Sequence, residues 1–178
     1  MVDMDSRPTD VPVAVGPSSF ELLFRQELRS VVALAYALSG SRLAAEEIAQ
    51  EAFLAAHRRW SEVSAYDDPG AWVRKVCANH AMSLVRRRVA EARAVARLRG
   101  RRVLPAELSP VDAEFWREVR RLPRRQAQVV ALFYIDDRSI ADIATVLGVA
   151  EGTVKAQLHT ARATLASRLD THQSEEDQ

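Results

Sequence analysis

The chain has 178 residues, 48% hydrophobic, 28% charged and 6% aromatic. That is enough apolar mass for one medium domain or two small ones, and too few aromatic and β-branched runs for an extensive sheet. The lone cysteine, Cys77, rules out an internal disulfide and reads as a small core residue in a reducing, cytoplasmic setting. No apolar stretch reaches the roughly 18 residues of a membrane span, and residues 11–15 are too short and proline-broken for a signal peptide.

The net charge of +1 conceals a pattern. Residues 1–68 carry 6 basic and 11 acidic side chains, net −5. Residues 69–125 carry 15 and 5, net +10, and residues 126–178 carry 4 and 8, net −4. A basic middle between acidic ends suggests a segment facing a polyanion such as nucleic acid. All but Lys75 and Lys155 of the basic residues are arginine, whose fork suits phosphate. GC-rich codon usage produces the same bias.

Residues 1–18, with Pro8, Pro12, Gly16 and Pro17 and no periodicity, are expected to be a disordered tail. Ser18 or Ser19 can cap a first helix with Phe20, Leu23, Phe24, Val31, Leu34 and Leu38 along one side, ended by Gly40. Ser41 caps a second, with Leu43, Ala44, Ile48, Ala52, Phe53 and Ala56 inward, running to Trp60. A polar loop over 61–68 follows. Pro69 then opens a third helix through Trp72, Val76, Ala81 and Leu84 into Arg86-Arg87-Arg88. Residues 91–111 are expected to be a flexible basic linker, broken by Gly100, Pro105 and Pro110. Asp112 caps a helix with Phe115, Trp116, Val119 and Leu122; Pro123 stops it and begins the next, over 124–134.

The most specific signal comes next. Ile140, Ile143, Ala144 and Leu147 give a short helix one buried face, and Gly148 breaks it with the left-handed backbone that glycine tolerates. Val149 and Val154 can fill the angle to a second helix, from about 152 to 169. This is a helix-turn-helix, which places its second helix in a DNA major groove. Thr153, Lys155, Gln157, His159 and Arg162 lie on its exposed sides. Gln157 suits adenine, while Lys155 and Arg162 suit phosphate or guanine. The fold class is therefore all-α: two small helical domains, 19–90 and 112–170, with a polar tail over 171–178.

Two further stretches carry possible chemistry. From 69 to 88, one helix face is apolar and the other presents Arg74, Lys75, Asn79 and the triplet Arg86, Arg87 and Arg88, with Trp72 nearby. Aromatics beside arginines suit an unstacked base and its phosphates; a core tryptophan under a solvated charged face has the same spacing. From 45 to 60, acidic residues lead and basic residues end the helix, complementing its dipole. Its exposed Glu47, Gln50, Glu51 and Leu54 can dock a partner.

Together these stretches resemble the sigma-70 family of bacterial RNA polymerase sigma factors, extracytoplasmic-function (ECF) group. Residues 45–60 resemble the helix that binds the polymerase clamp. The Ala71-Trp72-Val73 stretch through Asn79, with the arginines after it, resembles the segment that reads and melts the −10 element. Leu122-Pro123, Gln126 and residues 139–165 resemble the domain that reads the −35 element. The resemblance implies that 19–90 is sigma region 2 and 112–170 sigma region 4. It implies core RNA polymerase and promoter DNA as partners, an anti-sigma factor as a regulator, a cytoplasmic location and no membrane insertion. It also implies −10 contacts from Trp72, Arg74, Lys75, Asn79 and Arg86 to Arg88, and polymerase contacts from Glu47, Gln50, Glu51 and Leu54. Ala150 stands where the family usually has a capping serine, which weakens that helix start by about 0.5–2 kcal/mol.

A different class, a helix-turn-helix regulator that binds an operator without polymerase, shares the C-terminal half but has no need of the 45–60 stretch. An enzyme is not expected. There is no Gly-rich phosphate loop and no Ser/His/Asp constellation, and His57, His80, His159 and His172 share no ligand spacing, so neither catalytic residues, cofactor nor metal are assigned.

Overall fold

The computed structural model describes residues 19–96 and 110–176. The expected tail over 1–18 and most of the expected linker lie outside the described residues, which are helical with no strand among them.

Local chemistry sets the helix boundaries. α1 (Ser19–Ser39) ends where Gly40 turns left-handed at φ +69° and its N–H donates to the Tyr36 carbonyl at 2.8 Å. Ser41 then caps α2 (Arg42–Arg58) by accepting from the Ala44 N–H. The chain does not stay helical to Trp60. It breaks at Arg59, whose backbone leaves the helical region, and restarts as the single turn α3 (Trp60–Val63), so the expected loop over 61–68 begins helical. α4 (Pro69–Ala96) starts on proline, with the Asp68 carboxylate accepting from the Ala71 N–H at 2.9 Å. It runs beyond the arginine triplet because nothing between 89 and 96 breaks a helix.

In the second half, α5 (Pro110–Arg120) begins on Pro110, which places Asp112 inside its first turn rather than before it. Proline at the first helical position needs no N–H partner, so it, not the aspartate, sets the start. Pro123 precedes α6 (Arg124–Tyr134). α7 (Ile140–Leu147) has a full capping box: Ser139 accepts from the Asp142 N–H, and Asp142 accepts from the Ser139 N–H. The Ser139 hydroxyl also donates to the Asp142 carboxylate at 2.7 Å, and this bond, more than the one from the Ser139 N–H, holds the Asp142 carboxyl below its ordinary pKa. Gly148, at φ +65°, ends α7, and α8 (Glu151–Glu176) follows. The polar tail expected over 171–178 is helical through Glu176, since residues 171–176 contain neither glycine nor proline.

α1, α2 and α4 pack as one bundle, and α5 to α8 form a second. Val31, Leu34, Leu38, Ile48, Phe53 and Val73 of the first bundle and Val119, Leu132, Ile143, Leu147, Val154 and Leu158 of the second belong to one apolar cluster. Leu43, expected inward, is 78% exposed: Ala44, Ala45 and Ile48 occupy the inward positions of that turn. The two bundles also touch. α1 meets α5 and α6, and α4 meets α7.

Cys77 is buried in α4, with its thiol directed at the Val31 carbonyl. Burial, and secondarily the Asp136 charge, push its pKa up to about 12. The native protein should therefore resist thiol labelling near pH 8, where the free thiol is otherwise substantially ionised, and react fully once unfolded. Native-state alkylation followed by mass spectrometry checks this; fast labelling of the folded chain would contradict the burial.

Candidate nucleic-acid and polymerase interface

Three surfaces carry the residues singled out by sequence. On α2, Glu47, Gln50, Glu51 and Leu54 are all exposed, and Glu51 sits 3.1 Å from the His80 Nδ1 of α4. Beside them runs an apolar groove of about 680 Å³ between α1 and α2, lined by Phe20, Phe24, Phe53, Leu54 and His57. Edge-on ring contacts stiffen its floor: Phe24 to Phe53 at 4.9 Å, and Phe20 to His57 at 4.8 Å. The groove is a tertiary product. Phe20 and Phe24 are visible as one helix face in sequence, but only the crossing of α1 over α2 leaves them partly open.

The second surface is α4. Trp72 is partly buried, and the Arg59 guanidinium lies 5.6 Å from its ring centroid. Arg59 forks onto Glu62 at 2.7 and 3.1 Å, and Glu62 accepts from the Tyr66 hydroxyl at 2.7 Å. The hydrogen bond with Arg59, more than that with Tyr66, lowers the Glu62 pKa, and the hydrogen bonds to Glu62 raise those of Arg59 and Tyr66. Sequence reasoning missed this trio. The Arg59/Glu62 spacing, one helical turn, was the available signal. Lys75, Arg86 and Arg87 are exposed, while the side chain of Arg88 lies outside the described residues.

Arg74 departs from the expected basic face. Its side chain is 2% exposed, ion-paired with Glu27 of α1 and, at 2.6 Å, with Asp136 of the turn after α6. Asn79 is half-buried, accepting from Arg124 and, at 3.1 Å, from Gln128, both on α6. Helical periodicity put Arg74 and Asn79 on a polar face; the second bundle covers part of that face.

The third surface is the helix-turn-helix. Thr153, Lys155, His159 and Arg162 are exposed on α8, and Gln157 is half-buried. Lys155 stands 3.6 Å from Glu151 one turn earlier. Arg162 donates to the Tyr134 hydroxyl at 2.9 Å and lies over the Phe133 and Tyr134 rings, 5.2 and 5.6 Å from their centroids. Among the described residues no group of three His, Cys, Asp or Glu side chains converges as metal ligands would, and no helix is long and apolar enough to cross a membrane.

Residues 23–91 match sigma-70 region 2, and residues 112–165 match sigma-70 region 4. The ECF RNA polymerase sigma factor SigM of Mycobacterium tuberculosis is 33% identical over 159 residues, 88% of this chain and 80% of SigM. The chain belongs to the ECF group of the sigma-70 family. A second relative, the ECF sigma factor SigE of Mycolicibacterium smegmatis, is 32% identical over 169 residues, 88% of this chain and 64% of SigE. The fold is that of the sigma factor RpoE solved with the anti-sigma factor NepR from Bartonella quintana: TM-score 0.65 and 23% identity, covering 85% of this chain and 96% of RpoE. CnrH, solved with the cytosolic domain of CnrY, is similar at TM-score 0.61 and 23% identity, covering 85% of this chain and 88% of CnrH.

In this sigma factor the stacking of Arg162 on two rings gives it a part in folding as well as any part in DNA binding. Arg162→Ala should lower stability by about 0.5–1 kcal/mol without DNA present, the worth of an exposed cation–π contact. Thermal unfolding of the DNA-free protein checks this; an unchanged midpoint would leave Arg162 with no structural role.

Proposed function

We propose that this ECF sigma factor binds core RNA polymerase and directs promoter-specific initiation, with its three surfaces dividing the work. The single observation that carries the reading is the presence, in order on one chain, of a region 2 match over 23–91 and a region 4 match over 112–165. A simple operator-binding regulator needs only the second. The exposed Glu47, Gln50, Glu51 and Leu54 of α2, beside the apolar groove, form the polymerase contact. An anti-sigma factor is a further partner, as NepR is of RpoE. The protein lends specificity to an enzyme and performs no catalytic step itself, and it acts in the cytoplasm, where the polymerase is.

On promoter DNA, α4 lies across the −10 element. Lys75, Arg86, Arg87 and Arg88 hold phosphates, which gives affinity without sequence information. Trp72, with Arg59 beside its ring, and the segment over 61–68 receive an unstacked non-template base. Extruding that base costs a few kcal/mol, offset by about 1–3 kcal/mol of stacking and by the other contacts of the pocket. Arg74 and Asn79 join this surface when the second bundle is not covering them. At the −35 element, α8 enters the major groove, with Thr153, Lys155, Gln157, His159 and Arg162 near bases or backbone. Gln157, half-buried, reaches DNA only from its amide end.

In-vitro transcription with core polymerase tests the whole reading: no transcript from any promoter in a variant pool would sink it. Replacing Arg86, Arg87 and Arg88 together with alanine should weaken open-complex formation on every promoter; a loss on one sequence alone would assign them to base readout instead. Gln157→Ala should relax the −35 preference by about 1–3 kcal/mol at one base pair, measured by footprinting on single-base variants, and an unchanged preference would remove it from the interface.

A further inference from the structure

The apolar groove between α1 and α2 extends well beyond the residues assigned to polymerase. Its first part, about 680 Å³, holds Phe20, Phe24 and Leu54, and a second part, about 450 Å³, continues it to Tyr36 and Arg42. Leu28, Val32 and Glu46 line both, so the two are one furrow along α1. Its ends differ. At the near end the first described residue is tied down: the Trp60 indole N–H donates to the Ser19 hydroxyl at 3.1 Å, and the Phe20 ring lies edge-on to those of His57 and Trp60, at 4.8 and 5.3 Å. The chain ahead of Ser19 therefore leaves from the mouth of the furrow. At the far end the rim carries exposed Arg29 and Arg42, the latter 3.3 Å from Glu46.

We propose that residues 11–15 of the same chain occupy this furrow, running antiparallel to α1, and that core polymerase must displace them. The displacement rests on reading the exposed face of α2 as the polymerase contact, since Gln50 and Leu54 belong to that face and to the furrow. Val11-Pro12-Val13-Ala14-Val15 is apolar throughout and lies outside both sigma-region matches. Pro12 holds Val11 extended, and in an extended chain Val11, Val13 and Val15 share one side at intervals of about 6.6 Å. Phe24, Leu28 and Val32 follow one another along α1 at intervals of about 6 Å, four residues of helical rise each. Over the whole segment the two ladders differ by only about 1 Å. Gly16, Pro17 and Ser18 join Val15 to Ser19, and proline suits the second position of the reversing turn that this path needs. Charge follows the same direction. Residues 1–10 carry Asp3, Asp5 and Asp10 against Arg7, net −2, and the antiparallel path leads them to the rim at Arg29 and Arg42. Covalent attachment presents the segment at an effective concentration on the order of millimolar, so a few apolar contacts suffice to hold it.

The test uses the full chain. Ser6→Cys carries a nitroxide, while the buried Cys77 thiol resists modification. Docking should broaden the methyl resonances of Val32 and Ala33, at the far end, more than those of Leu54. Adding Val11→Ser, Val13→Ser and Val15→Ser together, which changes no charge and none of the described helices, should abolish the broadening. Absent or uniform broadening in the parent chain would overturn the proposal. A mixture of nitroxide-bearing chain without isotope and isotope-enriched chain without nitroxide reads the other occupant, a second copy; broadening there would overturn the intrachain assignment. Affinity for core polymerase, read by fluorescence anisotropy without the nitroxide, should rise about tenfold in the triple-serine variant, as expected when an open state of about 10% becomes dominant. Docking with unchanged polymerase affinity would overturn the displacement and remove α2 as the polymerase face. A chain that docks its segment yet never binds core polymerase, with or without the valines, removes the sigma-factor reading and leaves the docking established.

Discussion

Burying one guanidinium organises this molecule. At 2% exposure the Arg74 side chain is paired with both Glu27 and Asp136. Removing both acids would leave an unpaired charge in low dielectric, which costs far more than the intact set contributes. The three side chains come from α1, α4 and the turn after α6, so satisfying that one charge fixes how the N-terminal bundle sits against the helix-turn-helix. Lys75, one residue along, lies beside Gly148 at the helix-turn-helix corner as a result.

This interaction gives the charge pattern a second meaning. The −5, +10 and −4 distribution along the chain suggests a basic middle awaiting a polyanion. Part of that middle is already matched from within. Glu27 belongs to the acidic first segment and Asp136 to the acidic last one, and both converge on an arginine of the basic segment. The acidic ends are thus internal counterions as well as solubilising surface. Arg86 and Arg87, farther along α4, remain exposed.

The three functional surfaces differ in how much the fold must do for them. The proposed polymerase face of α2 is a single helix face, and its exposure follows from periodicity alone. The recognition helix needs only its partner α7 and the turn at Gly148. The α4 surface depends on neighbours: Trp72 is partly covered by Arg59 from the α2–α3 junction, and Arg74 and Asn79 are engaged by the other bundle. The face proposed to meet the −10 element is also the one whose side chains have partners elsewhere in the chain.

Sequence alone determined what short-range chemistry controls. Gly40 and Gly148 end helices because they accept a positive φ; Ser41 caps because its hydroxyl reaches an N–H three residues on; Pro69 and Pro123 mark helix starts because they have no N–H to satisfy. The α2 face, the recognition helix and the family resemblance all follow from such local patterns. Tertiary structure decided whatever depends on residues far apart in sequence: that Leu43 faces water, that Arg162 stacks on Phe133 and Tyr134, and that Arg74, polar by type and outward by periodicity, is the most buried cation of the described residues. Periodicity states which side of a helix a residue occupies, but not whether that side meets solvent or another helix. For Arg74 the answer lay 62 residues away, in an aspartate that only folding brings within 2.6 Å.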